Sequence, residues 1–309
     1  MSIVIVFNNK DPKPWAEKLK SKLSDIPIQI YPEIHDPLIV KFALCWKPHQ
    51  NILLQFPNLK VVQSVGASVE HIIKTQELRK TITLSRIVDN NLSHDMWEYL
   101  LTAILSISKN NFIYAHQQSI KLWKQHPYTN IQNTNISILG LGKIGSFVAE
   151  KLGLLGYKVK GWSSSVKNIN NVISYSGIQE LDRCLHNTDI LINILPLTDT
   201  TQNILNITNL KKINAGGYLI NVGRGEHLVE NDLLDLLEEK YLSGAILDVF
   251  RSEPLPDNHP FWNHPKIQIT PHVASLTNIE SASLQIVENY NRFTSGKELM
   301  HQVSLKKGY

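Results

Sequence analysis

Three residues in the C-terminal half have the side-chain types that the reduction of a 2-oxoacid needs. Arg224 lies between two glycines in NVGRGE, Glu253 lies in DVFRSEPLP and His272 lies in ITPHVAS. The arginine can bind a carboxylate or stabilise negative charge on a carbonyl oxygen, and the histidine can give that oxygen a proton as a hydride arrives. The glutamate can accept a hydrogen bond from the imidazole and stabilise its protonated form. Taken singly, His272 could cap a turn and Glu253 could be a solvated loop acid, so the hypothesis depends on their common placement.

Apolar runs precede all three residues and predict the strands that position them. The runs are GGYLINVG (216–223), SGAILDVF (243–250) and KIQITP (266–271). Because ligands bind at the carboxyl ends of strands in an open α/β sheet, we expect the three side chains to share one crevice. We also expect Gly223 and Gly225 to let ligands approach the Arg224 backbone closely.

A glycine-rich turn upstream of these strands predicts dinucleotide binding. The strand NISILG (135–140) runs into GLGKIG, and the amphipathic stretch GSFVAEKLGLLG follows. In that order the glycines give a tight turn, close approach of the backbone to a pyrophosphate and close packing of helix on strand. Free N–H groups at the helix start would bind the phosphate oxygens; an ordinary glycine-rich turn is the alternative. The predicted cofactor contacts of this turn are Gly140, Leu141, Gly142, Lys143, Ile144 and Gly145.

The end of the second strand of this domain decides which dinucleotide is expected. An NAD site usually has an acidic residue about 20 residues past the glycines, which binds the ribose 2′-hydroxyl. This chain has no acid from Lys151 to Gln179, and YKVKGW (157–162) runs into serines and a lysine that can receive a 2′-phosphate. We therefore favour NADP(H), with NAD(H) as the alternative, since the serines could simply form a turn. The predicted contacts are Trp162, Ser163, Ser164, Ser165 and Lys167.

Strand-like and helix-like segments alternate along the whole chain, which predicts βαβ units and parallel sheets. Predicted strands in the first hundred residues are 3–7, 28–31, 42–46, 60–64 and 81–87, and TDILINIL (188–195) adds one to the later series. The segment 94–123 has a helical apolar period with nothing to break it before Pro127, so we predict one connecting helix with an arm beyond it. The fold class is α/β, with two doubly wound parallel-sheet domains. The predicted boundaries are 1–97 plus 276–309 for a substrate domain and 98–275 for a dinucleotide-binding Rossmann domain.

Composition limits the other functions. Of 309 residues 42% are hydrophobic, and the formal net charge is only +4 with no long basic run, so no nucleic-acid surface is expected. No stretch approaches the ~18 apolar residues of a membrane span. Cys45 and Cys184 stand alone without a CxxC, which favours free thiols and a cytoplasmic location. His259, His264 and His272 are separated by prolines and lack metal-ligand spacing, so no metal site is predicted.

Several motifs together give the chain a family resemblance. GLGKIG, INVGRGEHLVENDLLDLL, GAILDVFRSEPLP and ITPHVAS resemble the D-isomer-specific 2-hydroxyacid dehydrogenases, supported by CWKPH (45–49), GWSSSVK (161–167), PFWNHPKIQITPHVAS (260–275) and the tail QVSLKKGY. The resemblance covers nearly the whole chain, most strongly 135–275. It implies a Rossmann cofactor domain inserted in a flavodoxin-like substrate domain. It also implies NAD(P)H-dependent reduction of small 2-oxoacids, glyoxylate to glycolate and hydroxypyruvate to D-glycerate, with His272 as proton donor in the catalytic set Arg224, Glu253 and His272.

The resemblance further implies roles for residues that the patterns alone do not single out. The implied cofactor-lining residues are Leu195, Pro196, Val222 and Gly223, with Asp248, whose carboxylate would meet the nicotinamide carboxamide. The implied substrate-binding residues are Trp46, which would close the pocket, and Val65, Gly66 and Ala67, whose backbone N–H groups would hold the substrate carboxylate, besides Arg224 and His272. Where the relatives carry arginines after the second strand, this chain has Ser164 and Val166.

Alternatives remain for the substrate, the activity and the assembly. The same chemistry could serve another substrate, of the D-lactate or phosphoglycerate type. A chain with this fold and these residues could instead be a nucleotide-sensing scaffold, such as a corepressor. Trp97, Trp123 and Tyr128 flank the predicted connecting helix, and they belong either to a core or to an arm that grips a second subunit. We expect a homodimer, the commonest assembly.

Overall fold

A computed structural model describes residues 1–305 of the chain, which fold into two compact units. The first unit is Met1–Leu92 together with the chain from Thr277 onward, and the second is Ser93–Leu276. The divisions thus fall at 92/93 and 276/277, where the sequence predicted 97/98 and 275/276. The first comes earlier because Met96 already packs in the core of the second unit. Residues 306–309, the end of the tail QVSLKKGY, lie outside the described residues.

The first unit is built on a five-stranded parallel sheet. Its strands are β1 (Ser2–Phe7), β2 (Ile28–Ile30), β3 (Val40–Trp46), β4 (Val61–Ser64) and β5 (Thr83–Ser85). They pair in the order β2-β1-β3-β4-β5, which is the flavodoxin-like order. Successive residues of β1 from Ile3 to Val6 point to opposite faces, yet all are buried. A strand covered on both faces reads as an unbroken apolar run, which is what IVIV shows.

The second unit is built on a seven-stranded parallel sheet. Its strands are β6 (Asn135–Leu139), β7 (Lys158–Ser163), β8 (Val172–Ser176), β9 (Ile190–Asn193), β10 (Gly217–Asn221), β11 (Leu242–Leu247) and β12 (Ile267–Ile269). The order β12-β11-β10-β9-β6-β7-β8 is the Rossmann order with β12 added at one edge. From β6 the strand order runs to one edge of the sheet through β7 and β8 and to the other edge through β9 to β12. Ligands bind at such a switch point between two neighbouring strands, here β6 and β9.

Helices cover both faces of the sheets. Those of the first unit are α1 (Lys13–Lys20), α2 (Glu70–Ile73) and, near the C-terminus, α9 (Ile279–Thr294). The others are α3 (Asn90–Ser108), which begins in the first unit, α4 (Asn111–Ser119), α5 (Lys143–Leu154), α6 (Leu181–Leu185), α7 (Ile207–Leu210) and α8 (Glu230–Glu238). On β6, Ile136 and Ile138 pack into one core cluster and Leu139 into the cluster on the other face, as the two-residue period of a strand requires.

Two sequence predictions about secondary structure were wrong or incomplete. The single helix predicted over 94–123 is two helices, because Asn110 takes a left-handed conformation (φ 59°) between α3 and α4. Asparagine adopts that conformation more readily than other residues with a side chain. The edge strand β8 was not predicted; its sequence VISYS is short, and none of its residues is fully buried.

Candidate active site

The glycines of GLGKIG meet different surroundings at the carboxyl end of β6. Gly140 is left-handed (φ 110°), and a Cβ there would lie 2.8 Å from the Ile194 carbonyl oxygen. A Cβ on Gly145 would lie 1.8 Å from the Gly140 carbonyl oxygen, so only glycine lets α5 pack this closely on the turn. Around Gly142, in contrast, a Cβ would meet no heavy atom of residues 1–305 within 4 Å beyond its chain neighbours.

The open position at Gly142 leaves backbone donors accessible. Gly142 is the N-cap of α5, so the first N–H groups of the helix have no partner within the helix. Gly142 and Lys143 are exposed, whereas Leu141 is buried against Gly161, where a Cβ would lie 2.5 Å from Leu141 Cδ2. The turn therefore has a packed side and an open side, and backbone donors on the open side suit a pyrophosphate.

The residues after β7 divide into buried and exposed ones. The indole of Trp162 is buried and donates from Nε1 to the Gly177 carbonyl oxygen at 2.7 Å. Ser163 is also buried, and its hydroxyl donates to the Ser165 carbonyl oxygen at 2.8 Å. Ser164 and Ser165 are exposed and Lys167 is half-buried, so the groups open to a 2′-phosphate are fewer than the sequence suggested.

His272 and Glu253 form a hydrogen-bonded pair. His272 Nδ1 lies 2.9 Å from Glu253 Oε2 and 3.1 Å from Oε1, and both side chains are partly exposed, by 33% and 22%. Since the carboxylate accepts, Nδ1 carries a proton and Nε2 is the ring atom left for proton transfer. Glu253 Oε1 also accepts from the Phe250 N–H at 3.2 Å, which fixes the carboxylate on the loop after β11.

Backbone hydrogen bonds join the carboxyl ends of three neighbouring strands. The Asp248 N–H donates to the Asn221 carbonyl at the end of β10 (3.0 Å), and the His272 N–H donates to the Asp248 carbonyl (2.9 Å). His272 is itself left-handed (φ 55°), a conformation that is uncommon for residues with a side chain and that histidine adopts more readily than most. The turns that carry Arg224, Glu253 and His272 therefore follow adjacent strands of one sheet, as the sequence predicted.

The carboxylate of Asp248 holds the loop that carries His272. It is 1% exposed, and its Oδ1 accepts from Thr270 Oγ1 (2.6 Å) and the Val273 N–H (2.8 Å). Its Oδ2 accepts from the Ala274 N–H at 2.9 Å. Three of about four acceptor positions are thus used by the protein, which leaves about one for the nicotinamide carboxamide that the resemblance assigned to it.

Tyr99 extends this network. Thr270 Oγ1 uses its single proton toward Asp248, so the Tyr99 hydroxyl, 2.6 Å away, must donate to Thr270. Burial, together with the Asp248 charge, raises the pKa of Tyr99 to about 12, against the lowering effect of the Thr270 hydrogen bond. The hydroxyl therefore stays protonated at neutral pH and remains a donor.

The two glycines around Arg224 are enclosed by protein, which corrects the expectation that they leave room for ligands. A Cβ on Gly223 would lie 2.7 Å from Asn193 Nδ2, and one on Gly225 would lie 1.9 Å from the Phe250 carbonyl carbon. Arg224 is half-buried, and its Nη1 donates to the Gly223 carbonyl at 2.6 Å. A guanidinium carries five N–H donors in a fixed fork, a geometry that suits a carboxylate.

Groups that the sequence assigned to the substrate lie in the first unit, at the carboxyl ends of β3 and β4. Trp46 packs on Gly66, where a Cβ would lie 2.7 Å from Trp46 Cζ3, and its ring is 4.9 Å from that of His71. The Val65 N–H donates to the Cys45 carbonyl and the Gly66 N–H to Ser64 Oγ, each at 3.2 Å. Within residues 1–305 only the Ala67 N–H of the predicted anion-binding loop has no hydrogen-bond partner, so the loop offers fewer donors than expected.

Comparison with known proteins identifies the family. The profile described as "D-isomer specific 2-hydroxyacid dehydrogenase, NAD binding domain" matches residues 101–274, more than half of the chain. The chain belongs to the D-isomer specific 2-hydroxyacid dehydrogenase family. The resemblance read from the four motifs is thereby confirmed.

Individual members of this family match over the full length. A glyoxylate/hydroxypyruvate reductase A of Yersinia enterocolitica is 36% identical over 314 residues, with 100% of both chains covered. A solved D-isomer specific 2-hydroxyacid dehydrogenase of Xanthobacter autotrophicus Py2, in complex with NADPH and MES, is 30% identical with a TM-score of 0.94, covering 100% of this chain and 99% of that one. The NADPH-dependent glyoxylate/hydroxypyruvate reductase of Sinorhizobium meliloti, in complex with NADP and sulfate, is 31% identical with a TM-score of 0.93 and full coverage of both chains. These matches confirm the predicted fold class.

The structure adds residues that sequence reasoning missed. Asn193, Asn221 and His227 form a buried polar cluster behind Arg224, and Tyr99 and Thr270 stand behind Asp248. The only signal in the sequence was a polar residue at the end of each apolar run, as in LIN and YLIN.

No helix within residues 1–305 is long and apolar enough to cross a membrane, and no three His, Cys, Asp or Glu side chains there are grouped to hold a metal ion.

Proposed function

We propose that this dehydrogenase reduces small 2-oxoacids with NADPH, glyoxylate to glycolate and hydroxypyruvate to D-glycerate. The observation that carries the proposal is the His272–Glu253 pair, 2.9 Å apart at the carboxyl edge of a Rossmann sheet. Full-length relatives named as glyoxylate/hydroxypyruvate reductases support the substrate class.

Each residue has a role that its chemistry allows. His272, its Nδ1 proton held by Glu253, gives a proton from Nε2 to the substrate carbonyl oxygen. Arg224 binds the substrate carboxylate or stabilises the developing oxyanion. Within the first unit, the Ala67 N–H and the Trp46 ring remain predicted substrate contacts. When bound, the nicotinamide supplies the hydride.

The glycine turn would hold the cofactor through backbone donors. Gly142, Lys143 and Ile144 at the start of α5 bind the pyrophosphate, beside the loop of Leu195 and Pro196. Ser164, Ser165 and Lys167 receive the 2′-phosphate, which favours NADP(H) over NAD(H). The NADPH and NADP in the two structural relatives support this preference.

A spectrophotometric assay tests the function directly. The loss of NADPH and NADH absorbance is followed with glyoxylate, hydroxypyruvate, pyruvate and a bulky 2-oxoacid. Turnover of the first two with NADPH, at a kcat/KM well above that for the bulky substrate, is the expected result. Turnover only with pyruvate indicates a D-lactate dehydrogenase instead, and inactivity with all four indicates a nucleotide-sensing scaffold.

Replacing His272 tests the proton donor. His272→Asn suits the left-handed backbone at this position and lowers kcat about a hundredfold or more, the usual contribution of a general acid. The dissociation constant of NADPH, measured by fluorescence, stays within about twofold of the parent value. Near-normal kcat would remove His272 from this role.

We also infer a homodimer formed through the segment 120–128, which follows α4. Trp123 is 98% exposed, and Ile120, Leu122 and Tyr128 nearby are at least 48% exposed, which is much apolar surface for one segment. Trp97, in contrast, packs against the core of the second unit. Light scattering of the parent protein and of Trp123→Glu tests this: a monomeric parent contradicts it.

We place the protein in the cytoplasm, in line with its two buried free cysteines.

A further inference from the structure

His227 lies fully buried behind Arg224 and has no assigned role. It ends the short 3₁₀ turn Gly225–His227 and is 0% exposed. Its Nδ1 lies 3.0 Å from the Arg224 backbone nitrogen and 2.9 Å from Asn193 Nδ2. Because the ring is buried, each of its nitrogens must match a donor or an acceptor.

The contacts fix the proton on this ring. A backbone N–H can only donate, so Nδ1 must accept from Arg224 and cannot carry hydrogen. The proton of the neutral ring is then on Nε2, which faces the Pro196 carbonyl oxygen at 3.3 Å. His227 is therefore the neutral Nε2–H tautomer, assigned from its neighbours.

The Arg224 backbone is held on both sides. Its N–H donates to His227, and its carbonyl accepts from Asn221 Nδ2 at 3.1 Å. Asn193 links Asn221 to His227, because its Nδ2 donates to Asn221 Oδ1 at 2.8 Å and lies 2.9 Å from His227 Nδ1. Gly223 makes room for this cluster, since a Cβ there would lie 3.0 Å from His227 Nδ1.

We propose that His227 is a positioning residue that fixes Arg224 with one ring nitrogen and the Pro196 loop with the other. One side of the ring would set the arginine that binds the substrate anion, and the opposite side would set the loop that lines the cofactor. The proposal rests on the proposed function, because that function makes Arg224 the anion-binding group and Pro196 a cofactor-lining residue.

Two substitutions separate the two sides of the ring. His227→Gln keeps a terminal amide that can donate from the position of Nε2 and loses the Nδ1 acceptor. His227→Asn keeps an acceptor at the position of Nδ1 and loses the Nε2 donor. Each variant thus removes one contact and retains the other, and both replacements are polar and smaller than histidine.

The expected results differ for the two variants. For His227→Gln, KM for glyoxylate rises about tenfold, the scale of one buried hydrogen bond, while the NADPH dissociation constant stays within about twofold. For His227→Asn, the NADPH dissociation constant rises about threefold, since the Pro196 contact is long, and KM for glyoxylate stays within about twofold. Steady-state kinetics gives the first constant and fluorescence titration the second.

A matched control is available in the same unit. His264 Nδ1 also accepts a backbone N–H, from Lys266 at 3.2 Å, on the loop before β12. His264→Gln loses the same kind of bond and leaves both constants within about twofold of the parent. Thermal unfolding of every variant shows which are folded. If only one His227 variant folds, the proposal fails when that variant raises both constants alike or changes neither.

The proposal is overturned if both His227 variants raise the same constant by the same factor, or if neither constant changes. Failure of the proposed function has a different signature: the parent protein then turns over no 2-oxoacid. In that case the dissociation constants of NADPH and of oxalate, an unreactive carboxylate probe, replace the kinetic readout. If each His227 variant raises only one of these two dissociation constants, the role of His227 is supported. If both variants raise the same constant, or neither constant changes, the role is contradicted.

Discussion

The glycine turns after β6 and β10 look alike in sequence and differ in what surrounds them. Both follow a strand of the same parallel sheet at its carboxyl edge. At Gly142 the missing side chain faces open space, whereas at Gly223 and Gly225 it faces protein atoms within 3 Å. In the first turn Gly140 and Gly145 are enclosed too, and Gly142 is the open position, whereas in the second turn both glycines beside Arg224 pack against protein. A glycine beside a site therefore has two distinct causes, and substitutions tell them apart.

The largest effect is expected at the enclosed turn. Gly225→Ala places a Cβ 1.9 Å from the Phe250 carbonyl carbon, which is backbone and cannot rotate away. We expect a loss of about 3 kcal/mol or more in the free energy of unfolding, as for severe overpacking. Urea denaturation measures it. Unchanged stability would mean that the two turns do not differ as described.

The second-largest effect is expected from replacing Arg224. Arg224→Ala lowers kcat/KM for glyoxylate at least about a hundredfold, because a charged contact to the substrate anion is lost. We expect the free energy of unfolding to change little, since the Arg224 side chain is only half-buried and its Nη1 bonds to the neighbouring Gly223 carbonyl. Steady-state kinetics with Arg224→Lys as the control separates charge from fork geometry. Kinetics equal to those of the parent would rule out the anion-binding role.

The open turn responds differently to the same chemical change. Gly142→Ala adds a Cβ in empty space at a backbone conformation that alanine tolerates (φ −74°, ψ −165°). The free energy of unfolding changes by less than about 0.5 kcal/mol, while the NADPH dissociation constant rises about tenfold or more, because the Cβ occupies pyrophosphate space. Denaturation and fluorescence titration measure the two quantities. A stability loss without a change in cofactor affinity would reverse the interpretation.

The smallest effect is expected in the exposed loop that follows β7. Ser164→Arg adds a guanidinium that can bind a 2′-phosphate with two parallel hydrogen bonds. KM for NADPH falls about threefold and KM for NADH stays unchanged, so the ratio of KM for NADH to KM for NADPH rises about threefold. Ser164→Gln, a polar side chain longer than serine and without charge, is the control. A parallel change for both cofactors would show that this loop does not contact the 2′-phosphate.

Much of the site was predictable because its residues stand in recognisable contexts. GLGKIG between a strand and a helix predicted the turn before α5, and the apolar runs before Arg224, Glu253 and His272 predicted the strands that carry them. The buried partners of the Arg224 backbone were not predictable. Asn193 and His227 are 34 residues apart in the chain, and no periodic pattern links them.

The errors have physical reasons. The predicted helix over 94–123 ends at Ser108 because Asn110 turns left-handed, and local periodicity does not report a single backbone reversal. Two amides of the Val65–Ala67 loop bond to the protein instead of staying available, since backbone groups near a core seek partners.

The sequence by itself determined the parallel α/β architecture, the dinucleotide turn and the three residues that could reduce a 2-oxoacid. Hydrophobic period, glycine placement and strand ends are local features, so the chain order carries them directly. Only the tertiary structure decided that Asp248 holds the His272 loop and that the glycines around Arg224 serve packing. These outcomes depend on which strands become neighbours, and that is settled by burial across the whole sheet.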